Sequence, residues 1–240
     1  MVGPDLTSSN PWRGESEENT LNHSEAAHHV CHLYKGEDGL QDTALQFIRD
    51  GLRNGECCLY ITNAAVVDEL YEQLQAHGID VQLALQYGAL EVVSRKAWRA
   101  FCHKGSIPMA REVLTVLRRK LSQFSAVRIA GDVEWAVDPA ISDDVLCHWE
   151  ATANLVFDGL MVRVLCQYDI DRYPPSFITA ALRTHPVVLY KGQEVMNPFY
   201  EASRILRDEP MFNHNSNDAE TVGRMLRQLE ASNQLETASR

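Results

Sequence analysis

Short apolar runs alternate along the chain with longer stretches whose apolar residues recur every three or four positions. The runs HVCHLY (29–34), CCLYIT (57–62), ALEVVS (89–94), AVRIAGD (126–132), MVRVLCQYD (161–169) and PVVLYKG (186–192) predict strands, the last of them completing the sheet. Leu40–Asn54 has apolar residues at 40, 44, 45, 48 and 52 and predicts a helix stopped by Asn54-Gly55. Further helices are predicted over Ala64–His77, ending before Gly78, over Pro108–Gln123 with a proline in its first turn, over Asp143–Phe157 with Ser142 or Asp143 as N-cap, and over Pro174–Arg183. This rhythm predicts an α/β domain, a three-layer αβα sandwich around a mostly parallel central sheet. CCLYI and VRVLC are almost wholly apolar, as strands covered on both faces are. In such folds ligands gather in the loops beyond the carboxyl ends of the strands.

The ends of the chain break the pattern. Residues 1–27 are polar, rich in Ser, Asn and Glu, and predict a disordered tail; 28–205 form the folded domain; 206–240 are a polar linker and a C-terminal amphipathic helix. In that helix Val222, Met225, Leu226, Leu229 and Leu235 make a narrow apolar stripe, suited to the body, to a second copy in a homodimer, or to a partner. No internal repeat is present.

Composition narrows the function classes. The formal charge of the 240 residues is −11, and no basic run offsets it, which argues against direct nucleic-acid binding. No apolar stretch approaches the roughly 20 residues that span a bilayer. The first residues lack the apolar core of a signal peptide, so a cytoplasmic protein without membrane contact is expected. Six cysteines with no CxxC pair, most in apolar runs, read as reduced, buried thiols.

The candidate chemistry lies at strand ends. Asp132 ends the strand 126–132, and beyond it Glu134 is read as a candidate base and Trp135 as a pocket wall; the alternative is an N-cap aspartate and an ordinary packed tryptophan. Gln167 and Tyr168 end the strand 161–169 and are expected to point polar groups into the same crevice; a tyrosine suits a small, weakly polar ligand. His185, before the strand 186–192, is a candidate contact or a hydrogen-bonded structural residue. NPFY (197–200) reads as a turn anchored by Phe199 and Tyr200. HHVCH (28–32) raises a metal site, but alternation puts His28 and His32 on one face roughly 13 Å apart. His29 and Cys31 take the other face. No metal is expected, from this strand or elsewhere, no cofactor, and no nucleophile–base arrangement with a family context.

TALQFIRDGLRNGECCLYIT (43–62) and HGIDVQLALQYGALEVVS (77–94) resemble the strand–loop–helix–strand of RecA-like ATPases of the KaiC type. Over about residues 28–201, GDVEW (131–135), CQYD (166–169), ALRTHPVV (181–188) and NPFY (197–200) more closely resemble the MEDS (methanogen/methylotroph sensory) domains. That family includes the sensor part of a dichloromethane-responsive repressor and sensor regions of some histidine kinases. The resemblance implies a KaiC-like fold used as an input domain, a small organic or hydrocarbon-derived ligand, and a signalling partner such as a kinase or regulator.

On the ATPase pattern the loop after the first strand should read G-x-x-x-x-G-K-[ST], with the lysine neutralising phosphate and the hydroxyl holding a metal ion. Gly39 takes the last glycine position, but Leu40 stands at the lysine and Gln41 at the hydroxyl. Glu37 and Asp38 lie inside the loop and oppose a triphosphate; like unit charges about 4 Å apart repel by roughly 1 kcal/mol even in bulk water. Lys35 remains nearby. Tyr34, Glu37 and Asp38 join the candidate ligand contacts. The expected function is a sensory input domain without nucleotide hydrolysis. The alternatives are a ligand-free regulatory module and a residual nucleotide-binding protein.

Overall fold

The computed structural model describes residues 29–36, 40–102, 106–134, 143–201 and 219–238. In chain order the elements are β1 (His29–Tyr34), α1 (Leu40–Arg53), β2 (Cys57–Thr62), a short 3-10 turn (Ala64–Val66), α2 (Val67–Ala76), α3 (Val81–Gln86), β3 (Leu90–Ser94), α4 (Arg95–Cys102), α5 (Ser106–Leu121), β4 (Val127–Asp132), α6 (Asp143–Phe157), β5 (Val162–Asp169), α7 (Pro175–Thr184), β6 (Val187–Tyr190), β7 (Gln193–Met196) and α8 (Ala219–Ala238). The tail 1–27, the linker before α8, and the loop residues Glu37, Asp38 and Trp135 lie outside the described residues.

All seven strands join one sheet in the order β3-β2-β4-β5-β1-β6-β7. Every pairing is parallel except β6 with β7. The expected α/β architecture therefore holds, with two helices and one strand beyond those anticipated. Asp80 caps α3 by accepting from the Leu83 amide at 2.9 Å, and α4 follows β3 without an intervening loop. The run 186–192 does not end the sheet. Lys191 and Gly192 both have positive φ (51° and 76°), the signature of a two-residue hairpin turn, and β7 returns antiparallel. The helix expected over Ala64–His77 is split, because Asn63 accepts from the Ala65 amide and opens a 3-10 turn before α2.

Register assigns each strand residue to a face. α1 lies over Cys58 and Arg128: the Cys58 thiol donates to the Ile48 carbonyl (3.4 Å), and Arg128 Nη1 donates to the Phe47 carbonyl (3.1 Å). A side chain at Gly51 would put its Cβ 2.6 Å from both Arg128 Cδ and Cys58 Sγ, so the helix reaches the sheet only as glycine. Arg128 pairs with Glu56 and lies over the Phe47 ring. Alternation carries this α1 face through Asp132, and the pairings Asp132 with Gln167 and Gln167 with His32 extend it to β5 and β1. The opposite face bears His29, Cys31 and Leu33 of β1 beside Val164, Cys166 and Tyr168 of β5. It is covered by α4, α5, α6 and α7.

The last helix uses part of its stripe on its own chain. Val222 and Leu229 are buried, and Met225 and Leu226 pack beside them. Glu230 accepts from Lys191 at 2.7 Å. Asn197 anchors the turn after β7, donating through Nδ2 to the carbonyls of Leu182 (2.5 Å) and His185 (2.6 Å). Phe199 packs on the core, whereas Tyr200 is exposed. Cys31, Cys57, Cys58, Cys147 and Cys166 are free thiols, the first four buried. No helix among the described residues is long and apolar enough to cross a membrane.

Candidate functional site

The residues expected to share one crevice divide between the two faces of the sheet. On the α1 face, at the carboxyl ends of β4, β5 and β1, stand Asp132, Gln167, His32 and Tyr34. Arg95, the first residue of α4, donates through Nε and Nη2 to Asp132 Oδ2 (2.9 and 2.6 Å) and also pairs with Glu134. Arg172 closes the group by pairing with the other oxygen of Glu134. Asp132 Oδ1 accepts from the Glu134 amide at 3.1 Å, a turn that tucks the chain in after β4. Burial raises the Asp132 pKa, against the pull of Arg95. Burial also raises Tyr34, helped by Asp169 and Asp132. Gln167 Nε2 donates to His32 Nδ1 (3.3 Å), which makes Nε2 the protonated nitrogen of that ring. Burial lowers His32 to about 4, so the ring is neutral. Lys35 lies 3.4 Å from Asp171 at the surface.

Tyr168 does not belong to this crevice. Adjacent strand residues face opposite ways, and Tyr168 is fully buried on the α6 face, donating to Glu150 Oε1 at 3.0 Å. His185 is there too, fully buried, with its ring centroid 3.9 Å from that of His29.

These side chains surround Glu150, a carboxylate in the middle of α6 that sequence reasoning passed over. His29 Nε2 lies 3.2 Å from Glu150 Oε2 and 3.4 Å from the Cys166 sulfur. Asn154 Nδ2 donates to the carbonyls of Glu150 (3.2 Å) and Thr184 (2.7 Å). That turns its oxygen toward His29 Nδ1 at 3.1 Å, so Nδ1 must carry the hydrogen of that bond. His185 Nδ1 likewise donates to the Ala181 carbonyl at 2.8 Å. Burial works to raise the Glu150 pKa, but the His29 bond, the nearby imidazoles and Tyr168 outweigh it and hold the carboxyl below its ordinary value. Burial pushes His185 down to about 3, and it pushes the Cys166 thiol well up, with Glu150 adding to the effect. The missed signal was available: Glu150 sits four residues after Leu146 and three before Ala153, on the buried stripe of α6.

A cavity of about 40 Å³ adjoins this group, between the sheet and α4–α6. Trp98, Val113, Trp149 and Phe157 form apolar walls, and His29, Glu150 and Cys166 form a polar end. The two indoles meet edge to face with centroids 6.2 Å apart. The arrangement is an apolar chamber with a few convergent polar groups, the pattern of a small-molecule site.

Comparison with known proteins gives the family of this α/β domain. The family model "MEthanogen/methylotroph, DcmR Sensory domain" (MEDS) matches residues 28–186. The chain belongs to this family, and its role is sensory or regulatory. The transcriptional repressor DcmR of Methylorubrum extorquens (strain DSM 6343 / CIP 106787 / DM4) is 24% identical over 158 residues, which cover 65% of this chain and 57% of the repressor. The match thus spans little more than half the length of that relative.

Proposed function

We propose that this domain is the input module of a signalling system, binding a small organic molecule in the chamber between the sheet and α4–α6. The observation that carries this reading is the chamber itself, with two tryptophans and a phenylalanine on its walls and imidazole, carboxylate and thiol at one end. One water-sized site takes roughly 10–15 Å³, so about 40 Å³ suits a molecule of only a few heavy atoms, such as a short hydrocarbon derivative. Its relative's name as a transcriptional repressor supports an output through a regulatory protein partner. The exposed side of α8 is one surface for that partner or for a second copy of the chain.

In this reading the domain hydrolyses no nucleotide. The strand order is compatible with a RecA-like ancestry, in which the loop after β1 would hold phosphate. Leu40 and Gln41 replace that loop's lysine and hydroxyl. Asp132, at the position of an ATPase's metal-binding acid, is taken up by Arg95. Both observations support a nucleotide scaffold turned to another use.

Thermal unfolding with compounds of one to three carbons, alongside Mg-ATP, tests the proposal. A ligand at 100 times its Kd adds about 2.7 kcal/mol to stability. Stabilisation by such a compound, lost in Trp149→Ala, is the expected result. Stabilisation by Mg-ATP alone, or a panel without effect, would overturn it.

A further inference from the structure

Four side chains from four separate elements converge at one end of the chamber. His29 comes from the start of β1, Glu150 from α6, Cys166 from β5, and His185 from the link between α7 and β6. One ligand atom from each lies within 4.8 Å of all the others. We propose that they bind a divalent transition metal ion, Zn²⁺ by the chemistry of the set, through His29 Nε2, His185 Nε2, one oxygen of Glu150 and the Cys166 sulfur. This goes beyond the small-molecule reading and does not depend on it.

The distances fit. Zinc bonds of about 2.0–2.3 Å in a tetrahedron imply ligand-to-ligand edges of about 3.3–3.6 Å. Four of the six edges are 3.2 Å (His29 to Glu150), 3.4 Å (His29 to Cys166), 3.8 Å (His185 to Glu150) and 3.9 Å (Cys166 to Glu150). The other two edges, from His185 to His29 and to Cys166, are within 4.8 Å, so closing the site takes adjustments of at most about 1.5 Å.

The hydrogen bonding fits as well. Asn154 Oδ1 accepts from His29 Nδ1, and the Ala181 carbonyl accepts from His185 Nδ1. Both rings therefore present Nε2 inward, each held from behind by an oxygen, as metal-bound imidazoles are. Tyr168 donates to the other oxygen of Glu150 and fixes the carboxylate plane.

A network of ordinary hydrogen bonds accounts for less. A protonated His29 against Glu150 would satisfy that pair. It would leave His185 Nε2, fully buried, with no hydrogen-bond partner among the described residues. That lone pair faces a carboxylate oxygen at 3.8 Å, acceptor toward acceptor. A cation between them converts the repulsion into two bonds. With Cys166 as thiolate and Glu150 as carboxylate, two negative charges balance a divalent ion, which suits a site away from solvent. Thiolate and imidazole favour zinc and its neighbours over magnesium or calcium.

The test uses the full chain, stripped with a chelator and titrated with Co²⁺ and Zn²⁺. Binding of about one equivalent with the strong visible bands of tetrahedral Co²⁺ and a thiolate-to-metal charge-transfer band is expected, with Zn²⁺ displacing both. Cys166→Ser should abolish the charge-transfer band, His185→Gln should weaken binding at least about tenfold, and Cys57→Ser, a buried thiol elsewhere, should keep both spectrum and affinity. A wild-type spectrum typical of octahedral surface-bound Co²⁺, or a charge-transfer band that persists in Cys166→Ser, would overturn the proposal. If Cys166→Ser does not fold, the wild-type spectrum and His185→Gln decide. Loss of the organic ligand response with the metal spectrum intact would count against the chamber reading alone.

Discussion

Two buried carboxylate groups on opposite faces of the sheet are handled in different ways. On the α1 face Asp132 and Glu134, at and after the end of β4, have arginines: Arg95 lies between them, and Arg172 takes the second oxygen of Glu134. Glu56, at the other end of that face, has Arg128. On the α6 face Glu150 meets two imidazoles, a phenol and a thiol, and none of these is a fixed cation. Asp132, Glu134 and Glu56 are thus each met by a fixed cation. The Glu150 group is built from donors and acceptors whose protons can move or be replaced. A site of the second kind suits a sensor, because its charge state can respond to what occupies it.

The comparison predicts a ranking of effects. The largest belongs to Glu150→Ala, which strips the partner from His29 and Tyr168 in a buried setting. It should cost about 3–5 kcal/mol in urea unfolding, and Glu150→Gln, which keeps the shape, should cost less. A loss below that of any α1-face variant would break the contrast.

Next is the acid response of His32. Its folded pKa of about 4 is below the unfolded value near 6.5. The unfolded chain therefore binds the extra proton first. The stability due to the neutral ring is present above pH 6.5 and is lost as pH falls toward 4, to a total on the order of 3 kcal/mol. His32→Asn should remove this part of the pH dependence, as seen by comparing unfolding midpoints of the two proteins between pH 7 and 4.5.

Arg95→Ala follows. It leaves buried Asp132 without its bidentate donor and should cost about 1–3 kcal/mol. Because Arg95 is itself partly exposed, added salt should shrink the difference from wild type. An effect that resists salt would place this pair in the same class as Glu150. The smallest effect belongs to Lys191→Ala. Its bond to Glu230 lies in solvent, and no measurable change in unfolding midpoint is expected.

The sheet was largely legible in the sequence because its strands are apolar on both sides, so their runs stand out whatever the helices do. β7 was not, since QEVM is short, polar and defined only by the hairpin before it. α4 was hidden because nothing in the local sequence separates it from β3. The candidate site was legible one strand at a time. Alternation along β1 put His29 and His32 on opposite faces, and the structure agrees. The same rule separates Gln167 from Tyr168, which the reading of a common crevice overlooked. The neighbours of His29 come from α6, β5 and the turn after α7, 125 residues away for Asn154 and 137 for Cys166, so local sequence does not show them. Only the strand order, which places β1 beside both β5 and β6, brings them together.

That central place of β1 has a mechanical consequence. Its odd-numbered residues His29, Cys31 and Leu33 belong to one face and its even-numbered residues Val30, His32 and Tyr34 to the other, so six residues of backbone are shared between the chamber and the polar group of the α1 face. A tilt or slide of that strand caused on one side is expected to move the side chains on the other without any intermediary. Amide hydrogen exchange along Val30–Leu33 is where such traffic would be read.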